Sequence, residues 1–448
     1  MRIKTYLVFL LLLLLPYSSY AEYRPPKGNQ GSSNMGRIRT IGFEANGLTF
    51  SIDNFLEGGY IFGVPTTDTT TFRSGAKSLR CNSGAGNTDT HMDVKLKAAE
   101  QVVGRSYYLR TYIYIDTLPS NDNCSIITVY AGTSDSVCSV NLRSNGVLRF
   151  MRGSPAVQVG SDTASLSLNT WYRIELYMKT DVGATDEVEM RLDGITVGSA
   201  TSLTLSDSSV SIFQLGWVAS GPGANRSIYY DDMAINNNVD DGSGLQNSWP
   251  GPGKIVLLKP ISDVQAGTWT GGAGGTTNLF DAIDNTPPLG TSSETNLTQI
   301  ENVDTSPDNS TDEYRATMTS YFDAGIGGED EIVLVQPLVD SGEDAGAGTK
   351  TGSFAILSNP TQATVDTFTA GANAGALGTW PSNWDTQWGA AQSSPIVDVS
   401  TSPVMALRKT DTGNRVLSVD FMGIYVEYID YVPVMQARMD FFGPIATE

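Results

Sequence analysis

The sequence predicts an all-β protein of two antiparallel β-sandwich domains in tandem, and two observations support this. In residues 171–179 (WYRIELYMK), the apolar Tyr172, Ile174 and Leu176 alternate with polar residues, which is the period of a strand with one buried face. The chain also contains 46 glycines and 20 prolines, which suits many tight turns. No long helical periodicity follows the first 21 residues.

The segment 171–235 carries a recognisable set of motifs. The strand WYRIELYMK turns and returns as EVEMRLDGITV, where Asp193-Gly194 forms a tight-turn pair, and SIYYDDMAI follows later. Together these motifs resemble concanavalin A-like (laminin G-type) jelly-roll domains. Such domains occur in lectins, in polysaccharide-degrading enzymes, and in phage and cell-surface structural proteins. The resemblance implies a jelly roll over residues 38–240.

Composition and patterning divide the rest of the chain. Arg2 and Lys4, an apolar run at 6–15 and the small residues 19–21 predict a cleaved signal peptide and therefore a secreted or cell-surface protein. No later segment is apolar enough to cross a membrane. The expected organisation is a signal peptide at 1–21, a flexible leader at 22–37, the jelly roll at 38–240, a linker at 241–253, and an acidic β-sandwich domain at 254–448.

The net charge of −20 is placed unevenly. Residues 1–250 carry 20 Lys and Arg against 23 Asp and Glu, whereas residues 251–448 carry 8 against 25. A surface this acidic repels phosphate backbones, so we expect no nucleic-acid partner. It is compatible with solubility outside the cell or with divalent cations.

The strand at 106–115 (SYYLRTYIYI) supplies the main candidate for ligand binding. Tyr108, Arg110 and Tyr112 fall on one face, while Leu109 and Ile113 fall on the other. A cation among aromatic rings is what a saccharide-binding sheet presents, although a tyrosine-rich strand is also ordinary β-propensity. Three further residues, on runs expected to continue the same sheet, are candidate additions to this polysaccharide site: Tyr130, Arg149 and Trp217.

The jelly-roll resemblance also implies a structural calcium ion. In many carbohydrate-binding sandwiches a first-strand Glu and a last-strand Asp hold Ca²⁺ together with main-chain oxygens. The matching positions are Glu44 and Asp231 or Asp232. Hard oxygen ligands of this type suit calcium, but the same carboxylates are also typical of strand ends.

Three cysteines, Cys81, Cys124 and Cys138, occur in the chain. Cys124 and Cys138 flank two short strand patterns around a turn, so a disulfide between them across a hairpin is one expectation for a secreted protein. Three buried free thiols are the alternative.

Catalytic motifs are absent from the sequence. The single histidine, His91, has no nucleophile motif near it and is expected to be an ordinary polar residue. Glu187 and Glu189 share a strand face but lack the carboxylate order of laminarinase-type glucanases, and Arg191 beside them favours ion pairing. We therefore expect a protein that is not an enzyme, with a polysaccharide lyase or hydrolase as a minor alternative.

Two functions are consistent with the sequence. The first is a secreted, non-catalytic glycan-binding protein with an acidic accessory domain. The second is a structural or assembly protein whose β domains self-associate, such as a surface fibre or a virion component. The second half, with long acidic loops and a tryptophan-rich loop, vaguely resembles accessory domains of phage tail and virion proteins.

Overall fold

A computed structural model provides the coordinates. It describes residues 36–44, 60–63, 65–86, 88–96, 100–132, 135–219, 221–239, 247–271, 276–284, 300–302, 312–328, 330–343, 350–357, 366–372, 378–379, 402–409 and 417–430. The expected signal peptide and nearly all of the leader lie outside these ranges. Among the described residues, no helix has the length and apolar character needed to cross a membrane.

The first domain consists of two sheets packed face to face. Sheet A has eight strands. Seven of them lie side by side in one continuous order, the path of the sheet, and the eighth, β1, pairs with β15 outside that order. In spatial order that path is β13 (Ile195–Leu203), β12 (Asp186–Leu192), β11 (Trp171–Lys179), β6 (Ser106–Ile115), β15 (Ser227–Asn237), β4 (Ser78–Asn82) and β3 (Thr66–Asp68), with β1 at Arg37–Ile41.

Sheet B has seven strands and faces sheet A across the core. Its order is β10 (Val157–Gln158), β9 (Leu148–Arg152), β8 (Asp135–Leu142), β7 (Cys124–Ala131), β14 (Val210–Ala219), β5 (Thr90–Lys95) and β2 (Tyr60–Phe62). All described pairings in both sheets are antiparallel.

The alternation seen in the sequence determines which side chains enter this core. Leu109 and Ile113 of β6 and Leu176 of β11 are fully buried and pack against Phe213 and Leu215 of β14. Because the side-chain period of a strand is two, the intervening residues of each strand project from the outer face of its sheet. Each sheet therefore has one core face and one outer face.

The second half forms one connected sheet of eleven strands, sheet C, around a separate core. Most pairings are antiparallel, and β21 pairs with β23 in parallel. Its main path is β17 (Pro260–Gln265), β20 (Tyr314–Met318), β25 (Val404–Lys409), β22 (Lys350–Leu357), β23 (Asp366–Ala372), β21 (Glu331–Glu343), β26 (Leu417–Ile429), β19 (Ile300–Asn302) and β18 (Trp269–Gly271); β16 (Lys254–Leu258) pairs with β26, and β24 (Gly378–Thr379) with β21.

A single short helix, α1 (Phe280–Ile283), is described in this half, and Asp263 of β17 accepts hydrogen bonds from the backbone N–H groups at its start. The prediction of an all-β chain of antiparallel sandwich type is confirmed.

One expectation about strand order is wrong. The runs that contain Tyr130, Arg149 and Trp217 were expected to extend the sheet of β6, but they form β7, β9 and β14 of sheet B. The neighbours of β6 are β11 and β15 instead. Alternation shows which face of a strand is buried but does not show which sheet the strand joins.

Candidate functional site

The outer face of sheet A is covered by the second half of the chain. Arg110 of β6 is fully buried there, and its guanidinium donates to Glu427 Oε1 of β26 at 2.5 Å and to the Asp232 carbonyl at 3.0 Å. Arg37 of β1 also donates to Glu427, through Oε2. One carboxylate of the second half therefore bonds two buried arginines of the first half.

Residues from the end of the predicted linker cover the neighbouring aromatic side chains. Trp249 lies 5.5 Å from Tyr108 and 6.2 Å from Tyr177 between ring centroids, and the Arg191 guanidinium lies 3.8 Å from the centroid of the Trp249 ring. These rings and this cation form the kind of cluster that was expected to bind sugar. The side chain that occupies it is a tryptophan of the same chain.

The structure therefore corrects the predicted binding strip. Tyr112 is only 6% exposed, because the Arg73 guanidinium stacks 3.4 Å from its ring centroid. Tyr108 is half-buried beside Trp249, and Arg110 has no exposed surface. Trp217 is also fully buried, in the core between the sheets, where its indole N–H donates to the carbonyl of Arg226 at 3.0 Å.

Glu44, Asp231 and Asp232, the predicted calcium ligands, do lie close together in the fold. All three are buried, and burial together with the charge of Asp232 raises the pKa of Asp231. Burial likewise raises the pKa of Glu44 to about 7. Mutual repulsion among buried carboxylates is a setting that a cation would relieve.

The hydrogen bonds of this carboxylate cluster limit its fit to a metal. Glu44 Oε1 accepts the N–H groups of Ala76 and Lys77, and Asp232 Oδ1 accepts from Ser74 Oγ at 2.5 Å and from the N–H of Ile255 at 2.6 Å. Asp232 Oδ2 accepts from the Arg73 guanidinium at 2.5 Å.

No group of three or more His, Cys, Asp or Glu side chains arranged to hold a metal occurs in the part of the chain that the structure describes. Asp232 does not fit the role of ligand, since both its oxygens already have donors. The calcium site stays a prediction.

The predicted disulfide is wrong. Cys81, Cys124 and Cys138 are all buried, and none of them forms a disulfide. In the β7–β8 hairpin, Cys124 lies opposite Leu142 while Cys138 lies opposite Val129, so the two cysteines are several residues apart in register. Hairpin register depends on the turn and on bulges, and this pair has two irregularities that the sequence does not reveal.

The outer face of sheet B carries a row of side chains that sequence reasoning missed. Register pairs join one residue from each of five consecutive strands, β9, β8, β7, β14 and β5. The row consists of Met151, Ser139, Thr128, Gln214 and Asp93. Four of the five are polar, and all lie on the side of the sheet away from the core.

His91 lies next to this row, two residues before Asp93 on β5. The Gln214 amide nitrogen is 2.8 Å from Asp93 Oδ1 and 3.3 Å from His91 Nε2, and His91 Nε2 is 3.5 Å from Asp93 Oδ1. Phe62 of β2 stacks on the imidazole, with ring centroids 5.2 Å apart and planes inclined by 13°. Gln214 Oε1 is buried and has no hydrogen-bond partner in the structure.

Burial controls the protonation of this cluster. It lowers the pKa of His91, against the opposing charges of Asp93 and Asp89, so the imidazole is neutral at pH 7. Burial also raises the pKa of Asp93, against the charge of His91 and the hydrogen bond from Gln214. A neutral imidazole beside a buried carboxylate can accept a proton or a hydrogen bond from a ligand.

Tyr130 and Arg149 lie on this same outer face, away from Tyr108 and Arg110. Tyr130 is half-buried, and burial followed by the charge of Asp93 raises its pKa. Arg149 pairs with Asp162 at 2.8 Å. The predicted ligand residues are therefore divided between two opposite faces of the sandwich, and no single site contains them.

The sequence did contain a signal for this cluster. In β5 the run THMDVK alternates His91 and Asp93 with the core residues Met92 and Val94. That alternation places both titratable side chains on one outer face. The partner Gln214 could not be identified, because it comes from β14, more than a hundred residues later.

Comparisons with known proteins give structural likenesses alone. No protein-family model and no curated protein sequence matches the chain. An endo-β-1,4-glucuronan lyase from the fungus Trichoderma reesei is 17% identical, with a TM-score of 0.32, and the match covers 40% of this chain and 90% of that one.

Two other solved structures match over a similar part of the chain. Alginate lyase vAL-1 from a Chlorella virus is 12% identical, with a TM-score of 0.34, over 45% of this chain and 99% of that one. Domain 4 of AbnA, an extracellular GH43 arabinanase from Geobacillus stearothermophilus in complex with arabinotriose, is 16% identical, with a TM-score of 0.31, over 45% and 91%. At these scores the likeness assigns no activity, substrate or residue role to this chain.

These structures do correct one expectation. The absence of a glucanase carboxylate motif led to the prediction that the protein is not an enzyme. Several of the similar structures are polysaccharide lyases, so that prediction is not upheld. The missing motif excludes one hydrolytic mechanism and leaves other polysaccharide chemistry open.

Proposed function

We propose that this protein binds a polysaccharide chain along the outer face of sheet B. The observation that carries the proposal is the row of polar side chains across β8, β7, β14 and β5, with the unpartnered oxygen of Gln214 at its centre. A buried acceptor without a donor costs free energy, which a ligand donor would recover.

The dimensions of the row suit a linear sugar chain. Neighbouring strands lie about 4.8 Å apart, so five residues on five strands extend over about 19 Å. The strand spacing of about 4.8 Å is close to the length of one pyranose ring in an extended polysaccharide. Ser139 and Gln214, which are half-buried, would meet sugar hydroxyl groups, whereas Thr128 and Asp93 are buried and already bond Ser125 and Gln214.

Aromatic side chains flank the row. Phe62 is 47% exposed beside His91, and Tyr130 is half-buried near Asp93. Aromatic rings pack against the C–H faces of sugars, and such contacts contribute on the order of 1 kcal/mol beyond area burial. A row of hydrogen-bonding groups with aromatic rings beside it suits the binding of a saccharide.

Isothermal titration tests this proposal against a panel of neutral polysaccharides and polyuronates. Gln214→Ala should weaken binding about three- to tenfold, which corresponds to one hydrogen bond of about 0.5–1.5 kcal/mol. Lys179→Ala, on sheet A, is the matched control and should leave affinity unchanged. A protein that binds no member of the panel, and elutes from gel filtration as an oligomer, would support the structural or assembly function instead.

A second candidate is cleavage of the bound chain by β-elimination, and His91 is the observation that favours it. A neutral imidazole could take the proton from the carbon beside a uronate carboxylate. The electron pair left there then forms the C4–C5 double bond, the C4–oxygen bond breaks, and the leaving oxygen takes a proton from water to become an alcohol. Incubation with polyuronates should then raise the ultraviolet absorbance of the conjugated product, and His91→Ala should abolish the increase.

We also propose that the protein acts outside the cell, as its apolar N-terminal run suggests. Protein recovered from the culture medium of a secreting host should begin near Glu22 when its N-terminus is sequenced. Retention of the full chain inside the cells would refute this location.

A further inference from the structure

We infer that Gln214 selects the ligand: its Oε1 accepts a hydroxyl group of the saccharide, and does so only while His91 Nε2 carries no proton. This inference rests on the proposed binding function and assigns a chemical specificity and a pH dependence to that site. It follows from the hydrogen-bond geometry of three side chains on two neighbouring strands.

The Gln214 amide has two N–H donors and one carbonyl acceptor. Its nitrogen lies 2.8 Å from Asp93 Oδ1 and 3.3 Å from His91 Nε2. Asp93 Oδ1 accepts from this nitrogen, and His91 Nε2 accepts from it in the tautomer whose proton is on Nδ1, a buried atom with no hydrogen-bond partner in the described structure. An imidazole that accepts at Nε2 is neutral and carries its proton on Nδ1, so the observed arrangement belongs to the neutral state of His91.

In this state the carbonyl oxygen of Gln214 points away from both partners. Oε1 is buried and has no hydrogen-bond partner in the structure, although the amide nitrogen is engaged with both neighbours. Because this oxygen is buried, a ligand hydroxyl at the outer face of the sheet reaches it only after the Gln214 side chain shifts outward, and the new hydrogen bond then satisfies the acceptor.

The same geometry selects the chemistry of the ligand group. Gln214 Oε1 and the Asp93 carboxylate both accept hydrogen bonds at this position. A ligand carboxylate placed here would meet two acceptors and repel the charge of Asp93, whereas a hydroxyl group donates to Oε1 without charge. The site at Gln214 therefore takes a sugar hydroxyl and excludes a uronate carboxylate, so this inference and the cleavage by His91, which needs that carboxylate beside the imidazole, are alternatives.

Protonation of His91 would disrupt this arrangement. The new Nε2–H would face the Gln214 amide nitrogen across 3.3 Å, with a donor on each side. Half a turn of the amide replaces that nitrogen by Oε1, which then faces both His91 Nε2 and Asp93 Oδ1, and the imidazolium N–H is shared between these two acceptors. The oxygen is no longer available to the saccharide, so the ligand hydroxyl loses its acceptor.

The charged and polar groups around His91 agree with a neutral resting state. Asp89 and Asp93 from its own strand region oppose the effect of burial, and Lys95 lies further along β5 near Asp93. From the adjacent strands, β2 contributes the stacked ring of Phe62, and β14 contributes Gln214 and the Trp217 backbone. Burial is the largest influence and lowers the pKa, so the imidazole is unprotonated at pH 7.

The chain has one histidine, so its imidazole signals in nuclear magnetic resonance spectra are unambiguous. We expect the Nδ1–H tautomer at neutral pH and a shift of the Gln214 side-chain amide signals that follows the His91 titration. The affinity for cellohexaose should fall as the pH drops through the His91 pKa and level off about three- to tenfold weaker, because protonation removes the same single acceptor that Gln214→Ala removes. His91→Gln keeps an acceptor for the Gln214 amide and cannot be protonated, so its binding should not change over that range.

The outcomes separate this inference from the proposed function. Wild-type binding that is equally tight on both sides of the His91 titration would overturn the inference while leaving the binding function intact. Absence of binding to cellohexaose and to every polysaccharide of the panel would overturn both. Gln214 amide signals that ignore the His91 titration would refute the coupling even without a ligand, and a melting curve confirms that the His91→Gln variant is folded.

Discussion

Glu427→Gln is expected to destabilise the whole chain, because Glu427 joins its two halves. The carboxylate is fully buried on β26 and bonds Arg37 and Arg110, which are themselves buried in the first half of the chain. Removal of the charge leaves two guanidinium groups buried without their partner. Breaking a buried pair in this way costs about 3–5 kcal/mol, much more than the loss of an exposed pair.

Asp430→Asn is the matched control. Asp430 lies three residues further along the chain and pairs with Lys254 at 2.7 Å, but its side chain is 49% exposed. The same change from carboxylate to amide should cost about 0–1 kcal/mol there. Urea denaturation followed by tryptophan fluorescence measures both differences in the free energy of unfolding.

The pH dependence provides a second measurement on the same variant. Burial alone would raise the pKa of Glu427, but the charges of Arg110 and Arg37 outweigh it and hold the pKa below its ordinary value. A carboxylate with a lowered pKa in the folded state stabilises the fold at neutral pH, and this contribution is lost as the pH falls through that pKa. The difference in the free energy of unfolding between wild type and Glu427→Gln should therefore become smaller at acidic pH. If Glu427→Gln lost no more free energy of unfolding than Asp430→Asn at neutral pH, the view that this ion pair stabilises the contact between the two halves would be refuted.

Three further predictions concern other parts of the fold. If calcium binds beside Asp232, adding it should raise the melting temperature by mass action, and identical curves with calcium and with chelator would refute the site. Burial raises the pKa of the Cys124 thiol to about 11 and that of Cys138 to about 12, so the cysteines of the native protein should react slowly with thiol reagents at pH 8. After denaturation all three thiols should react. Gly253→Ala should lower the free energy of unfolding by about 1–3 kcal/mol, because its Cβ would overlap the Arg110 guanidinium and lie 2.6 Å from Glu427 Oε1. Gly328→Ala, which has open space around it, is the control and should leave the melting temperature unchanged.

The sequence was sufficient to predict the class of fold and the direction of most side chains. The alternation in β6 correctly placed Leu109 and Ile113 in the core and Arg110 on the outer face. The sequence could not show that Glu427, more than three hundred residues later, would cover that face. An amphipathic strand has the same pattern whether its polar side meets water, a ligand or another domain, and only the tertiary structure distinguishes these cases.

The same limit applies to the candidate site. His91 and Asp93 are separated by one residue, so their shared face follows from the period of two. Their connection to Gln214 depends on the pairing of β5 with β14, which is a contact between distant segments. Sequence patterns identify local neighbours, and a site built across a sheet consists mainly of distant ones.

The two outer faces of the first half differ in what covers them. Sheet A presents arginines and tyrosines, and Glu427 and Trp249 of the same chain pack on them. Buried polar atoms without a partner occur on both faces of the described structure, Nη2 of Arg110 on sheet A and Oε1 of Gln214 on sheet B. Arg110 already bonds Glu427, and the second half of the chain lies between its guanidinium and any ligand. The outer face of sheet B, where Phe62 is 47% exposed beside His91, is therefore the one at which an external ligand should be sought.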